Sequence, residues 1–186
     1  MSHLVFLLEE PSAREMLKGL LPRLLPEHVT VQYLVFEGKQ DLEKRLPKRL
    51  RAWQQPDTLF VVLRDQDSGV CMDIKTGLVE KCREAGRADA LVRIACRELE
   101  SFYLGDLAAV EQGLGAKNLS RQQQKAKFRA PDRLGSPHRE LKQLAPTYQK
   151  MAGSRAIGPH LSLDQNHSHS FNALIGGVRR LLGVTT

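Results

Sequence analysis

An α/β fold, a mostly parallel sheet flanked by helices, is what this sequence predicts, and three observations predict it. Four short apolar runs, at 4–8, 29–36, 58–63 and 90–95, alternate with stretches of helical periodicity. The third run, TLFVVL, is β-branched and apolar throughout, as expected of a strand covered on both faces. The chain has 186 residues, 41% of them apolar and 26% charged, enough for one soluble domain with a core of its own. Aromatic residues are only 5%, so that core must be mostly Leu, Val, Ile and Ala.

The elements follow in order. The run LVFLL at 4–8 ends in charges and Pro11 and reads as a buried strand. Pro11 and Ser12 open a helix toward 21–25, with Ala13, Met16, Leu17, Leu20 and Leu24 on one side. A second strand at 29–36 ends before Gly38. A charged amphipathic helix spans 41–53 and should be interrupted at Pro47. After the strand at 58–63 a helix is expected at 73–82, weakened by Gly77. The strand ALVRIA at 90–95 completes a right-handed series of crossovers. Residues 98–114 read as a helix or helix pair. Beyond Gly115 the pattern loosens, with a short helix at 137–144, a turn at Gly153-Ser154-Arg155 and extended or turn backbone at 158–163. A last amphipathic helix at 170–182 is capped by Asn166, Ser168 or Ser170 and loosened by Gly176-Gly177. Residues 1–115 thus form the core, and 116–186 a helical, basic extension packed on it.

Charge divides the same way. Residues 1–110 carry 16 Lys and Arg against 17 Asp and Glu, and residues 111–186 carry 12 against 4. A basic half beside an acidic motif suits an anionic partner such as nucleic acid. Arg121, Lys125, Lys127, Arg129 and Arg155 are the candidate backbone contacts, with a solvated basic surface as the alternative. Cys71, Cys82 and Cys96 have neither disulfide nor zinc-knuckle spacing. The first apolar run is too short for a signal peptide or membrane span, so a cytoplasmic location without a membrane partner is expected.

The chemical signal is positional. Ligands of open α/β sheets bind at the carboxyl ends of the strands. Glu9 and Glu10 follow the first strand, Asp65 and Asp67 the third, and Glu98 and Glu100 the fourth. Carboxylates at three neighbouring strand ends repel one another unless a cation compensates them. Hard oxygen ligands suit Mg²⁺ or Mn²⁺. In extended chain Asp65 and Asp67 point to one side, with Gln66 turned away. Glu9, Asp65, Asp67 and Glu10 are therefore the candidate metal ligands. Glu98 and Glu100 do not share a helix face. Glu98 could reach the metal from the strand-to-helix turn while Glu100 pairs with an Arg. Arg64 and Arg97 either contact phosphate or balance the carboxylates.

The segments VFLLEEPSA at 5–13 and FVVLRDQDS at 60–68 resemble the toprim family, in which a hydrophobic strand ends in a glutamate and another in Asp-x-Asp. The match is closer to a branch of small toprim-like bacterial proteins known only as a domain of unknown function (number 4276). That branch carries a segment similar to Arg97-Glu98-Leu99-Glu100-Ser101-Phe102, a Gly/Ile-Gly stretch similar to 153–158, and a late segment similar to His169-Ser170-Phe171. Toprim proteins usually place glycine after the glutamate. Glu10 stands there instead and adds charge and bulk.

The resemblance implies a Rossmann-like toprim fold with Glu9, Asp65 and Asp67 as catalytic residues. It also implies a nuclease-like phosphodiester hydrolysis or phosphoryl transfer, and an AAA-type ATPase partner in a bacterial defence or mobile-element system. Glu9 would be a ligand or the general base. The rival expectation is a non-catalytic subunit that binds nucleic acid or protein. His167 and His169 have no third zinc ligand at matching spacing. They read as substrate contacts or as an ordinary capping loop. No phosphate loop, dinucleotide fingerprint or nucleophile elbow is present.

Overall fold

The structure, a computed structural model, describes residues 2–184. Its centre is a four-stranded, all-parallel sheet. The strands are β1 (His3–Leu8), β2 (Thr30–Val35), β3 (Thr58–Asp65) and β4 (Leu91–Ala95), in the order β2-β1-β3-β4. The chain winds outward from β1 to β2, crosses back to β3, then continues to β4. Right-handed crossovers running in opposite directions put their helices on opposite faces.

Alternation along the strands divides the core accordingly. Val5, Leu7, Phe60, Val62, Val92 and Ile94 face α2 (Lys39–Arg51) and α3 (Cys71–Glu84). Leu4, Phe6, Leu8, Val61, Leu63 and Ala95 face α1 (Pro11–Leu20). On that side α9 (His169–Leu182) also packs on β4, α8 (Lys150–Ile157) packs on α1, and α4 (Glu100–Leu104), α5 (Leu107–Leu114), α6 (Ala126–Arg129) and α7 (Pro137–Leu144) extend the same cluster. Phe128, Leu141, Tyr148, Ile157, Phe171 and Leu174 share one continuous cluster with β1 and α1.

Several local expectations change. Helix α2 runs through Pro47. Leu42, Leu46 and Leu50 are fully buried on one face, and burial worth about 1.5–3 kcal/mol each offsets the hydrogen bond that proline removes. Helix α3 runs through Gly77, which points into open space. Gly153-Ser154-Arg155 is no turn but the middle of α8, and the ring of Tyr148 lies where a Cβ on Gly153 would stand. Residues 158–160 form a 3₁₀ turn against α1. Gly176-Gly177 does not break α9; Gly177 instead lets the helix approach Arg93 and Leu91 of β4. Ser168 is the cap of α9 and accepts from the Phe171 N–H at 3.1 Å. Asp132 doubles that cap, accepting from the Ser168 hydroxyl at 2.6 Å and the Ser170 N–H at 2.7 Å.

Candidate functional site

The winding reverses between β1 and β3, so the crevice beyond their carboxyl ends is the switch point of the sheet. Glu9 leaves β1 there and Asp65 is the last residue of β3. A Glu9 carboxylate oxygen accepts from the Asp65 backbone N–H at 3.0 Å. The Asp65 side chain is buried. Burial, then the fields of Glu10, Glu9 and Glu100, push its carboxyl well above the usual carboxylate range, against a bond from the Leu99 backbone that pulls it down. Burial likewise raises Glu9, opposed by its bond to Asp65, with Asp67 adding repulsion and Arg64 relief.

The sequence rule for Asp65 and Asp67 fails. The strand stops at Asp65, and Asp67 sits in the left-handed region at φ 54°. Asp67 therefore turns outward, pairs with Lys39 at 2.7 Å and stays part-exposed. Its N–H donates to the Arg97 carbonyl at 2.7 Å. Arg97, itself at φ 61°, returns a guanidinium bond to the Asp67 carbonyl at 3.3 Å. Arg97 thus fastens the 65–67 turn. Arg64 lies on the opposite face from Asp65, buried against Glu43, and donates to the Asp65 carbonyl at 3.1 Å.

The two glutamates after β4 take other roles than those expected of them. Glu98 accepts from the His138 backbone N–H at 2.7 Å and so caps the start of α7. Glu100 opens α4, is almost wholly buried, and its charge helps to raise the Asp65 pKa. Among the described residues no arginine meets it. One of its oxygens accepts from the Tyr148 hydroxyl at 3.1 Å and lies 2.8 Å from His138 Nδ1. The other, Oε2, is buried with no hydrogen-bond partner among the described residues. Glu10 is tied to Lys150 Nζ at 3.3 Å and bonded by the Ser12 hydroxyl. Burial pulls the Lys150 ammonium down, but Glu100, Glu10 and Asp65 outweigh it and leave it raised.

Lys39, His138, Tyr148 and Lys150 are thus the site residues that spacing could not find. Lys150 stands 140 residues from Glu10 in the chain, and no local pattern links them.

The other candidates lie elsewhere. Arg155 pairs with buried Glu15 at 2.8 Å across α1 and α8. Lys127 pairs with Glu140 at 2.7 Å, and Phe128 beneath it is buried in the core. Arg121, Lys125 and Arg129 are exposed around that turn. His167 in the loop and His169 at the start of α9 are exposed on alternate positions, and the inward residues Asn166, Ser168 and Ser170 hold the α9 cap.

A model for a domain of unknown function (DUF4276) matches residues 8–179. The chain belongs to the DUF4276 family. No curated protein and no solved structure matches it significantly. The match starts one residue before Glu9 and ends after most of α9, so every DUF4276 site residue described above lies inside it. Among the described residues no helix of this DUF4276 chain is long and apolar enough to cross a membrane.

The donor set fits a hard divalent cation in kind: carboxylates in surplus and, among the described residues, one buried carboxylate oxygen without a partner. Among the described residues, no three His, Cys, Asp or Glu side chains stand grouped as a ready-made metal cage. Mg²⁺ does not require one, because it binds through one or two carboxylates and keeps several waters.

Proposed function

We propose that this chain is a divalent-cation-dependent phosphodiester-cleaving protein of toprim type, the effector partner of an ATPase in a bacterial defence or mobile-element system. The ATPase and the setting rest on the sequence resemblance alone. The observation that carries the chemistry is a buried Asp65 at the switch point, its N–H bonded to Glu9, together with the buried Glu100 whose Oε2 has no partner among the described residues. Such a cluster is costly until a cation or protons neutralise it.

One or two carboxylates, Asp65 with Glu9 or Glu100, would hold Mg²⁺ or Mn²⁺, and waters would complete its shell. The bound ion would neutralise charge on the phosphate oxygens and acidify water. The protein's own part is positional. Glu9 is fixed by the Asp65 N–H, and its raised pKa suits it to take a proton. Tyr148 and His138 orient Glu100. Once a cation compensates Glu10, Lys150 is free to meet a phosphate oxygen. Lys39 lies at the solvent rim as a second cation for the same anion.

Titrating Mn²⁺ and Mg²⁺ into the wild type and the Asp65→Asn and Glu100→Gln variants tests this. Cleavage of single- and double-stranded DNA and RNA is then assayed with and without chelator. Saturable binding lost in both variants, with chelator-sensitive cleavage, is the expected result. A wild type that binds neither ion, with or without nucleic acid, would overturn it. That outcome would favour the second reading, a non-catalytic nucleic-acid- or protein-binding subunit. The Lys39–Asp67 and Lys150–Glu10 pairs, which already balance two of the carboxylates, favour that reading.

A further inference from the structure

The two outer strands of the sheet differ in how their free backbone groups are treated. On β4, residues 92, 94 and 96 turn their peptide groups away from β3, because the Ala95 carbonyl is spent inward on Gln66. The Val92 carbonyl is closed by the Arg93 guanidinium at 2.9 Å, and the Cys96 N–H by the Ser170 hydroxyl at 3.2 Å. Arg93 also reaches the Ala173 carbonyl of α9 at 2.9 Å. That edge is charged and covered.

On β2 the inward bonds are Thr30 N–H to the Ser2 carbonyl and Phe36 N–H to the Leu8 carbonyl. The even residues therefore face β1, and Val31, Tyr33 and Val35 aim their N–H and C=O groups outward. Among the described residues none of those groups has a hydrogen-bond partner. The strand TVQYLV contains no charge and no proline, the usual guards of an edge. Val31, Tyr33 and Val35 share the α1 face, where Tyr33 stacks on Phe6. Beside them runs an apolar groove of about 410 Å³, lined by Leu21, Leu25, Val29, Val31 and Tyr33.

We propose that β2 pairs antiparallel with β2 of a second copy of this chain, about a two-fold axis at Tyr33. The free rung is symmetric about that residue, so Tyr33 meets Tyr33 and Val31 meets Val35 of the second copy. Each such pair exchanges both of its N–H···O bonds. Val35 of the second copy then lies over the groove beside Val31. An uncharged strand meets its own copy without like-charge opposition. The groove rim carries one charge of each sign, Lys18 and Glu27, and so favours neither a basic nor an acidic partner over a second copy. The pairing makes one eight-stranded sheet with both acidic crevices open.

Sedimentation velocity over a dilution series of the full chain tests the association, and engineered cysteines test its register. Wild type should show a concentration-dependent monomer–dimer equilibrium. Val31→Lys should weaken it about tenfold or more while leaving the circular dichroism spectrum unchanged. In a background with Cys71 and Cys96 replaced by serine, mixed Gln32→Cys and Leu34→Cys chains should cross-link. Their Cα atoms would stand about 4.5 Å apart in a non-hydrogen-bonded pair. Either variant alone should not. A wild type monomeric at every concentration, a dimer indifferent to Val31→Lys, or cross-linking of Gln32→Cys with itself would each overturn the proposal. If Val31→Lys fails to fold, the cysteine pattern still decides. None of these readouts involves a metal.

Discussion

Asp65 and Asp67 are two residues apart and occupy opposite kinds of environment. Asp65 closes a strand, is buried, donates its N–H to Glu9, and feels the charges of Glu10, Glu9 and Glu100. Asp67 lies beyond the strand in left-handed backbone, near solvent, with a lysine of its own. The inner carboxylates have more negative charge than partners, whereas the outer one is balanced. The comparison teaches that two acids in one motif can divide the work. The buried one stores repulsion, which a cation would relieve on the proposed reading, and the exposed one shapes the rim.

Asp65→Asn is the strongest way to break that contrast. It should weaken Mn²⁺ binding on the order of 100-fold or more, by titration calorimetry. In metal-free buffer the same variant should melt above the wild type, because a buried repulsive charge is gone. Tyr148→Phe should act next. It leaves Glu100 with one donor fewer in a buried site and should cost about 1–3 kcal/mol by denaturant unfolding.

The pH dependence sharpens the comparison without a mutation. The native pKa values of Asp65 and Glu9 lie above their ordinary values. Their contribution to stability is complete below the ordinary carboxylate range near pH 4, and it is lost as pH rises through the raised native values. Metal-free wild type should therefore lose melting temperature over that interval. Asp65→Asn or saturating Mn²⁺ should flatten the slope. The smallest effect belongs to Asp67→Asn. It breaks a part-exposed pair with Lys39 and should cost less than about 1 kcal/mol, with a far weaker effect on Mn²⁺ binding than Asp65→Asn.

The sheet was legible because period and composition are local. The four apolar runs became the four strands, and the helix expected at 137–144 is α7. The positions of Glu9 and Asp65 were legible from the strand ends they follow. The placement of Asp67 was not, since the rule that i and i+2 share a side holds only while the chain stays extended, and φ turns positive at Asp67. Pro47 misled because a proline penalty is local and the burial of Leu42, Leu46 and Leu50 is tertiary. Lys150, Tyr148 and His138 reach the site from the second half of the chain, whose loose polar pattern gives no sign of which residues fold back.

That return carries a consequence for synthesis. Glu9, Glu10, Asp65 and Glu100 are all made before Tyr148 and Lys150. A nascent chain that has completed its sheet holds crowded acids with neither their lysine nor their tyrosine. At the pace of translation that interval lasts seconds, longer than a small sheet needs to form. The acid crevice should stay open and hydrated until α8 arrives, so the last third of the chain closes the fold as well as covering it.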